Sequence, residues 1–478
     1  MKKFESYYID IDKFVFEGFG LGKLSKTLQE VPAEEESLKI FVRFAYPGDT
    51  VKARVTKLKK NYAEADLEEV IVASPHRVDA PCKYFMSCGG CKQQDLDYQQ
   101  QIAYKQMQID ELFFPLNDLH NFIREDIVPC NNIFHYRNKM EFSFAERRWV
   151  PFSQLATHAE ERKLPALGFH PPNGFNQVIQ IDDCKLHPEP GNIILRTTSN
   201  FFFTRNFSIY NNKSESGYLR NLVVRQAGTT GEIMVNLVTS ERDEALMKEF
   251  TNAILTAVPE VTTVINNVNT KKAMTATGEV EYIDYGTGFI IDQIGKLKFR
   301  ISANSFFQTN TRQGETLYQT AVDFAEFTGN EIVYDLYCGA GTIALFIAEF
   351  VKEVYGLELI ASAVRDANAN KELNHTVNVK FFSSDLYKSF IPLIEENSIP
   401  KPDIIIVDPP RNGMHKNTIE DIIKLSPAKI IYVSCNPATQ VRDIRLMETA
   451  YRLVKIKPVD MFPHTYHIEN VALLERRQ

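Results

Sequence analysis

From about residue 300 to the carboxyl end, short apolar runs alternate with stretches of helical period, and the runs end in polar clusters. The runs are IVYDL, VYGLEL, VKFF, IIIV and IIYV, followed by a closing pair, YRLVKIKPVD and NVALLERR. Such compact apolar runs suit strands buried on both faces of a parallel sheet. Seven strand candidates with helices between them predict a Rossmann-like, doubly wound α/β sheet. A helix precedes them over TRQGETLYQTAVDFAEF, ended by Thr328-Gly329-Asn330.

Upstream the pattern changes. Residues 125–290 alternate short strand patterns with turns (KMEFSF, ALGFH, VIQIDDC, LRNLVVRQ, EIMVNLV, TTVINNVN), which predicts an α+β domain with a helix at 241–257 over one sheet face. Residues 95–116 read as one amphipathic helix halted near Pro115. Residues 1–72 read as the short strands of a small OB-like β-barrel, with Val51, Ala53 and Val55 set against Lys52, Arg54, Thr56 and Lys57. The acidic loop 30–37, EVPAEEES, is expected to be mobile. The chain is therefore multidomain: 1–72 a barrel, 73–94 with 125–290 a central α+β domain, and 95–124 with 291–478 the doubly wound domain.

Composition changes this picture little. At 44% hydrophobic and 24% charged residues, the 478-residue chain is an ordinary globular one. No apolar run approaches the ~18 residues of a membrane span and no signal peptide opens the chain, so a cytoplasmic location is expected. A net charge of −7 argues against nucleic acid, but the cations are clustered. VKARVTKLKK at 51–60 carries five Lys or Arg and no acid, and HYRNK at 135–139 interleaves a ring with cations. Local clusters of this kind set a phosphate-binding field regardless of net charge. HYRNKMEFSF is accordingly expected to be an RNA-facing strand.

Candidate chemistry follows the turns. Gly339 and Gly341 join a strand to an apolar helix, as in nucleotide-binding βα turns, although Ala344 stands where a third glycine would complete the fingerprint. Glu358 ends the next strand, near the ~20-residue spacing of an acid that binds ribose hydroxyls, and Asp385 ends the third. These acids, with Asp408-Pro409-Pro410-Arg411 after the fourth strand, resemble a class I S-adenosylmethionine methyltransferase. That resemblance implies ribose binding by Glu358 and an adenine-side role for Asp385. A thiol at Cys435, in Ser434-Cys435-Asn436-Pro437, ends the next strand. Methylating carbon 5 of a pyrimidine needs a nucleophile added at carbon 6 and a base to remove the carbon 5 proton. Cys435 suits the first role and Glu469 the second, with His464 and His467 as competitors for the base. Cys338 is read as packing.

In a reducing compartment, seven cysteines point to metal ligands, catalytic groups or buried thiols. Cys82, Cys88 and Cys91, with Gly89 and Gly90 between the last two, suit thiolate ligation, and Cys184 is the best fourth ligand. A 4Fe–4S cluster fits this set, with zinc the alternative.

DLYCGAG, DPPRNG, VSCNPAT and HIENVALL, in this order, resemble the RNA 5-methyluridine methyltransferases of the TrmA/RumA type. FEGFGLGKL and PGDTVKARV are similar to the TRAM domain, an RNA-binding barrel, so the resemblance covers nearly the whole chain. It implies Cys435 as nucleophile and Glu469 as base. It also implies SAM contacts from Gln308, Tyr337, Glu358, and Asp408 or Asp385, and a 4Fe–4S cluster on Cys82, Cys88, Cys91 and Cys184. The presence of both the TRAM-like barrel and the cysteines favours 23S rRNA over tRNA as substrate, for a protein expected to be a monomer. Two departures stand out: Thr342 replaces the Asn of several members, and the insert 30–37 lies in the barrel. An amino methyltransferase acting on nucleic acid and a non-catalytic cluster-bearing RNA-binding protein are the competing functions.

Overall fold

The computed structural model describes residues 1–117, 121–151, 159–172, 174, 177–272 and 275–477. The chain divides into two compact units, Met1–Glu111 with Phe462–His467 and Leu112–Met461 with Ile468–Gln478.

The first unit begins with a closed barrel of Ser6–Val15, Phe19–Leu24, Lys39–Arg43, Thr50–Leu58 and Tyr62–Val72. The third and fifth of these strands pair in parallel and the other pairs are antiparallel. Closure leaves no free sheet edge. Alternation is strict where the core demands it: Val51, Ala53 and Val55 are fully buried with Ile9, Ile40, Val42 and Ala63. Two of the outward cations of 51–60, Arg54 and Lys57, do not form the open basic face expected of them, whereas Lys59 and Lys60 are exposed. The acidic strand Tyr62–Val72 lies alongside, Lys57 pairs with Glu64 at 2.6 Å, and Arg54 faces Glu68 at 3.7 Å. The loop 30–37 contains a 3-10 turn, Ala33–Glu35, and Glu36 pairs with Lys26 at 2.8 Å.

A buried ionic knot ties the barrel to the segment after it. Arg77 donates to both Asp49 carboxylate oxygens (2.9 and 2.8 Å) and to the Phe44 carbonyl (2.8 Å). It also pairs with Asp95, and its guanidinium lies 4.8 Å from the Tyr46 ring centroid. The return segment 462–467 is held to the same unit through Gln101, which accepts from the His464 N–H at 2.9 Å.

Among the described residues, the second unit carries two large sheets and a hairpin, Phe289–Ile294 with Leu297–Ser302. The seven-stranded sheet runs Val280–Tyr285, Val261–Val268, Ile233–Thr239, Leu219–Gln226, Lys139–Ala145, Ala166–Phe169, Ile179–Gln180. Helices Glu189–Phe203 and Glu244–Ala257 pack together, with Phe201 and Phe202 5.5 and 5.2 Å from Phe250. The sequence pattern does not mark the first of these helices, because its apolar residues fall in two blocks, IIL and FFF, that lack a clear helical period.

The eight-stranded sheet runs Val379–Ser383, Glu353–Glu358, Ile332–Leu336, Ile404–Val407, Lys429–Ser434, Glu469–Arg476, Tyr451–Val459, Ile123–Arg124. The first five are mutually parallel, which places their carboxyl ends along one edge. Ile404–Val407 is buried on both faces, as its unbroken apolar run requires. The eighth strand, two residues long, extends the seven expected ones.

Replacing Arg77 with Ala strands two carboxylates, one of them fully buried. It is expected to destabilise the first unit by about 3–5 kcal/mol, measured as faster hydrogen exchange of the barrel amides. Wild-type exchange rates would contradict this account of the knot.

Candidate active site

The candidate cofactor turn is built by backbone geometry. After strand Ile332–Leu336, Tyr337 takes a left-handed conformation (φ 66°), and the N–H groups of Tyr337 and Cys338 both donate to the Leu357 carbonyl, at 3.0 and 3.2 Å. Gly339 and Gly341 follow at φ 54° and 79°, a region costly for other residues. A Cβ on Gly341 would lie 2.5 Å from the Phe381 ring, whereas one on Gly339 would meet nothing within 4 Å. Gly339 therefore borders open space. Beside it, Glu358 accepts from the N–H of Gly339 (3.0 Å) and of Ile360 (2.8 Å), and Leu359 and Ile360 leave exposed apolar surface next to that carboxylate.

Gln308 lies in the loop before helix Thr311–Ala325 and is buried. Its carbonyl accepts from the Asn138 amide at 2.8 Å, and the same amide donates to Thr311 at 2.8 Å. Arg225, also buried, donates to the carbonyls of Ser305 and Ala303 in the same loop. Asn138 of the YRNK stretch thus turns inward as a support for the Gln308 loop, and strand Lys139–Ala145 is paired on both sides within its sheet. The Thr342 hydroxyl is 3.0 Å from that of Tyr318. Asp385 accepts from the Tyr387 N–H at 3.1 Å and pairs with Lys388 at 3.5 Å. The adjacent Leu386 carbonyl accepts from Thr418, whose hydroxyl is 3.3 Å from that of Tyr337.

Two adjacent strand ends carry the acid and the thiol, since Val407 is in register with Tyr432. Asn436 organises both loops: its amide donates to the Arg411 carbonyl at 3.0 Å, and its side-chain oxygen accepts from the Ala438 N–H at 3.2 Å to cap helix Pro437–Met447. Ser434 is next to Asn470 in the antiparallel pairing, which brings Glu469 to the same end of the sheet as Cys435.

Burial sets the electrostatics. It pushes Glu469 up to about 8, with the Asp408 carboxylate adding to the effect and the Arg411 guanidinium opposing it. Burial alone takes Asp408 to about 7. The Cys435 thiol is pushed up to about 12 by burial, then by the Glu469 and Asp408 charges, again against Arg411. These four groups therefore share one field. Asp335, a fifth member of the edge, is held well above the usual carboxylate range by burial and then by Asp408. One of its oxygens accepts from the Ala344 N–H at 2.9 Å and the other has no partner among the described residues. Asp335 and Arg411 stand inside the quoted motifs, DLYCGAG and DPPRNG, but nothing in the spacing marks them as part of this field.

The remaining candidates are divided between the chain's two units. His464 is buried in the first unit, its ring 3.2 Å from the Gln101 amide, and the His467 ring lies 4.3 Å from that of Tyr466. Cys82, Cys88 and Cys91 are also in the first unit and Cys184 in the second. Burial pushes the Cys88 thiol up to about 11 and the neighbouring Cys82 adds to it; the Gly90 N–H donates to Cys88 sulfur at 3.4 Å and the Gln94 amide to Cys91 sulfur at 3.0 Å. Among the described residues, no three His, Cys, Asp or Glu side chains converge as a metal-binding group.

Comparison with known proteins gives a consistent picture. Residues 231–477 match the family described as tRNA (Uracil-5-)-methyltransferase, and residues 2–67 match the TRAM domain. An RNA methyltransferase of Chlorobaculum tepidum is 43% identical over 439 residues, 90% of each chain. One from Bacteroides thetaiotaomicron is 36% identical over 448 residues, 93% of this chain and 98% of that one. Among solved structures, the Pyrococcus abyssi tRNA (uracil-54, C5)-methyltransferase in complex with S-adenosyl-L-homocysteine superposes with a TM-score of 0.73. It is 27% identical and the match covers 97% of this chain and 99% of that one.

A thiol at about 12 is ~10⁻⁴ ionised at pH 8. Iodoacetamide is therefore expected to alkylate Cys435 about a hundredfold or more slowly than an ordinary thiol near 8.5, followed by peptide mass spectrometry. Alkylation at the rate of a free thiol would show that the pocket does not hold the proton on sulfur.

Proposed function

The chain belongs to the RNA uracil-5-methyltransferase family, and we propose that it methylates carbon 5 of a specific uridine in 23S rRNA through a covalent Cys435 adduct at carbon 6. The observation that carries this reading is the shared field of Cys435, Glu469, Asp408 and Arg411 at the carboxyl edge of the sheet that also bears the Gly339 turn.

The open side of Gly339, the adjacent Glu358 carboxylate and the apolar surface of Leu359 and Ile360 fit an adenosyl group, with Gln308, Tyr337 and Asp385 on the surrounding loops. S-adenosylmethionine supplies an electrophilic methyl on its sulfonium. Cys435 loses its proton to solvent, its sulfur adds to carbon 6 as the thiolate, and the thiolate released at the end of the cycle takes a proton back from solvent. The carbon 5–carbon 6 π electrons move toward O4, carbon 5 becomes nucleophilic, and it takes the methyl. Glu469 then removes the carbon 5 proton, the double bond re-forms, and the bond from carbon 6 to Cys435 breaks. Asp408 positions uracil or cofactor. An amino methyltransferase would use the Asp-Pro-Pro loop but leave Cys435 without a task, and a non-catalytic RNA-binding protein would leave the whole field without one.

The substrate has a second reading, tRNA, favoured by the Pyrococcus neighbour, which matches this chain from barrel to carboxyl end. For the cysteines we retain the 4Fe–4S assignment, on Cys82, Cys88, Cys91 and Cys184, with zinc as alternative. Its support is three thiols in one short segment with N–H donors aimed at two of the sulfurs. Such a centre supplies structural support or RNA positioning. We further assign the barrel to RNA binding, the central domain with the cysteines to a supporting role, and the protein to the cytoplasm as a monomer.

Because Glu469 acts as a base, methyl transfer is expected to rise with pH through about 8, the pH at which its carboxyl ionises. Glu469→Gln is expected to lower turnover by about 10²–10⁴-fold. A pH profile that stays flat from 6.5 to 9 in single-turnover assays would remove Glu469 from that role. Mapping 5-methyluridine in RNA from cells lacking the protein is expected to show one missing modification in 23S rRNA. Loss confined to tRNA would select the second reading.

A further inference from the structure

The barrel's inner face is filled by aliphatic side chains, yet three aromatic rings stand on its outer face. Phe19, Phe41 and Tyr62 come from three neighbouring strands, Phe19–Leu24, Lys39–Arg43 and Tyr62–Val72, and each is partly exposed. They form one diagonal row. The Phe19 and Phe41 centroids are 6.4 Å apart with the rings at 87°, and those of Phe41 and Tyr62 are 5.9 Å apart at 84°. The barrel core is complete without them, so packing alone does not call for three rings here.

Cations surround the row. The Arg43 guanidinium lies 5.5 Å from the Phe19 centroid and the Lys57 ammonium 5.4 Å from that of Tyr62. Both also face acids, Asp66 at 3.6 Å and Glu64 at 2.6 Å, so the local charge near the centre is balanced. At the Tyr62 end the balance shifts. Lys23, Lys39, Lys59 and Lys60 are exposed and make no ion pair among the described residues, although Lys23 stands opposite Asp10 in the strand pairing. Lys39 is in register with Tyr62, and Lys59 closes the hairpin by donating its N–H to the Tyr62 carbonyl at 2.9 Å. Unpaired lysines at one end of a ring row match the charge of a phosphate backbone whose bases lie on the rings.

We infer that Phe19, Phe41 and Tyr62 form a stacking platform for two or three unpaired nucleotides of single-stranded RNA, with Lys23, Lys39, Lys59 and Lys60 on the phosphates. Rings of this kind accept any base face, whereas a duplex keeps its base faces stacked internally. The platform reads unpaired character rather than sequence. The surface overlaps only the end of the basic run the sequence pointed to, at Lys59 and Lys60, since Arg54 and Lys57 of strand Thr50–Leu58 face Glu68 and Glu64 of the acidic strand beside it. The inference rests on RNA as the substrate, and the experiment below separates the two claims.

The full-length protein is irradiated with a single-stranded oligonucleotide containing 5-iodouridine, and the crosslinked peptides are sequenced. Crosslinks are expected at Phe41, Tyr62 or Phe19. In parallel, Phe41→Leu with Tyr62→Leu, which keeps apolar bulk and removes the rings, is expected to weaken binding of the same oligonucleotide about tenfold or more. Lys23→Glu with Lys39→Glu alters exposed side chains on the barrel surface and is expected to reduce the salt dependence of binding by about 0.7 for each lysine. If the wild-type protein binds and methylates RNA but crosslinks only outside the barrel, with both variants binding normally, the platform is wrong and the proposed function stands. If the wild-type protein binds neither single-stranded nor structured RNA, both fall.

Discussion

One side chain, Asn436, joins the two loops on which the proposed chemistry depends. Its amide holds the Arg411 carbonyl while its oxygen caps helix Pro437–Met447. The residue before it is Cys435 and the residues before Arg411 are Asp408-Pro409-Pro410. The backbone from which the thiol, the acid and the guanidinium project is therefore tied together at this point. Parallel pairing of Ile404–Val407 with Lys429–Ser434 sets the same geometry from below. An asparagine that serves as both cap and clasp explains why a polar residue occupies this position just after a largely buried strand.

The pocket so formed is dry enough to keep its groups neutral. Glu469 and Asp408 are pushed toward and past neutrality by burial, and Cys435 far above it. The Arg411 guanidinium opposes the shift on both Cys435 and Glu469. The arrangement suits a nucleophile that must stay protected until substrate arrives and a base that must titrate in the working range. Two supports in the second unit, Asn138 and Arg225, hold the Gln308 loop through carbonyl groups, so the central sheet has a direct part in shaping the cofactor side.

Much of this was legible in the sequence, because the information was local. Unbroken apolar runs ending in Asp408 or Cys435 marked parallel strands and their loops, and the Gly339–Gly341 turn marked the helix start. What was not legible depended on partners distant in the chain. The basic run 51–60 reads as a phosphate surface until Tyr62–Val72 is seen to lie beside it with Glu64 and Glu68. Asn138 reads as an exposed polar residue among cations until Gln308, 170 positions later, is found on its amide. Arg77 carries no pattern at all, yet it bridges Asp49 and Asp95.

The proposed chemistry turns on a covalent bond between Cys435 and carbon 6 of the target uracil. Fluorine at carbon 5 cannot be removed as a proton, so a 5-fluorouridine-substituted RNA incubated with S-adenosylmethionine would trap the adduct. The account predicts a denaturation-stable protein–RNA complex whose modified peptide contains Cys435, absent from Cys435→Ala. Turnover of unsubstituted RNA with no trapped complex, or a complex that persists in Cys435→Ala, would contradict it.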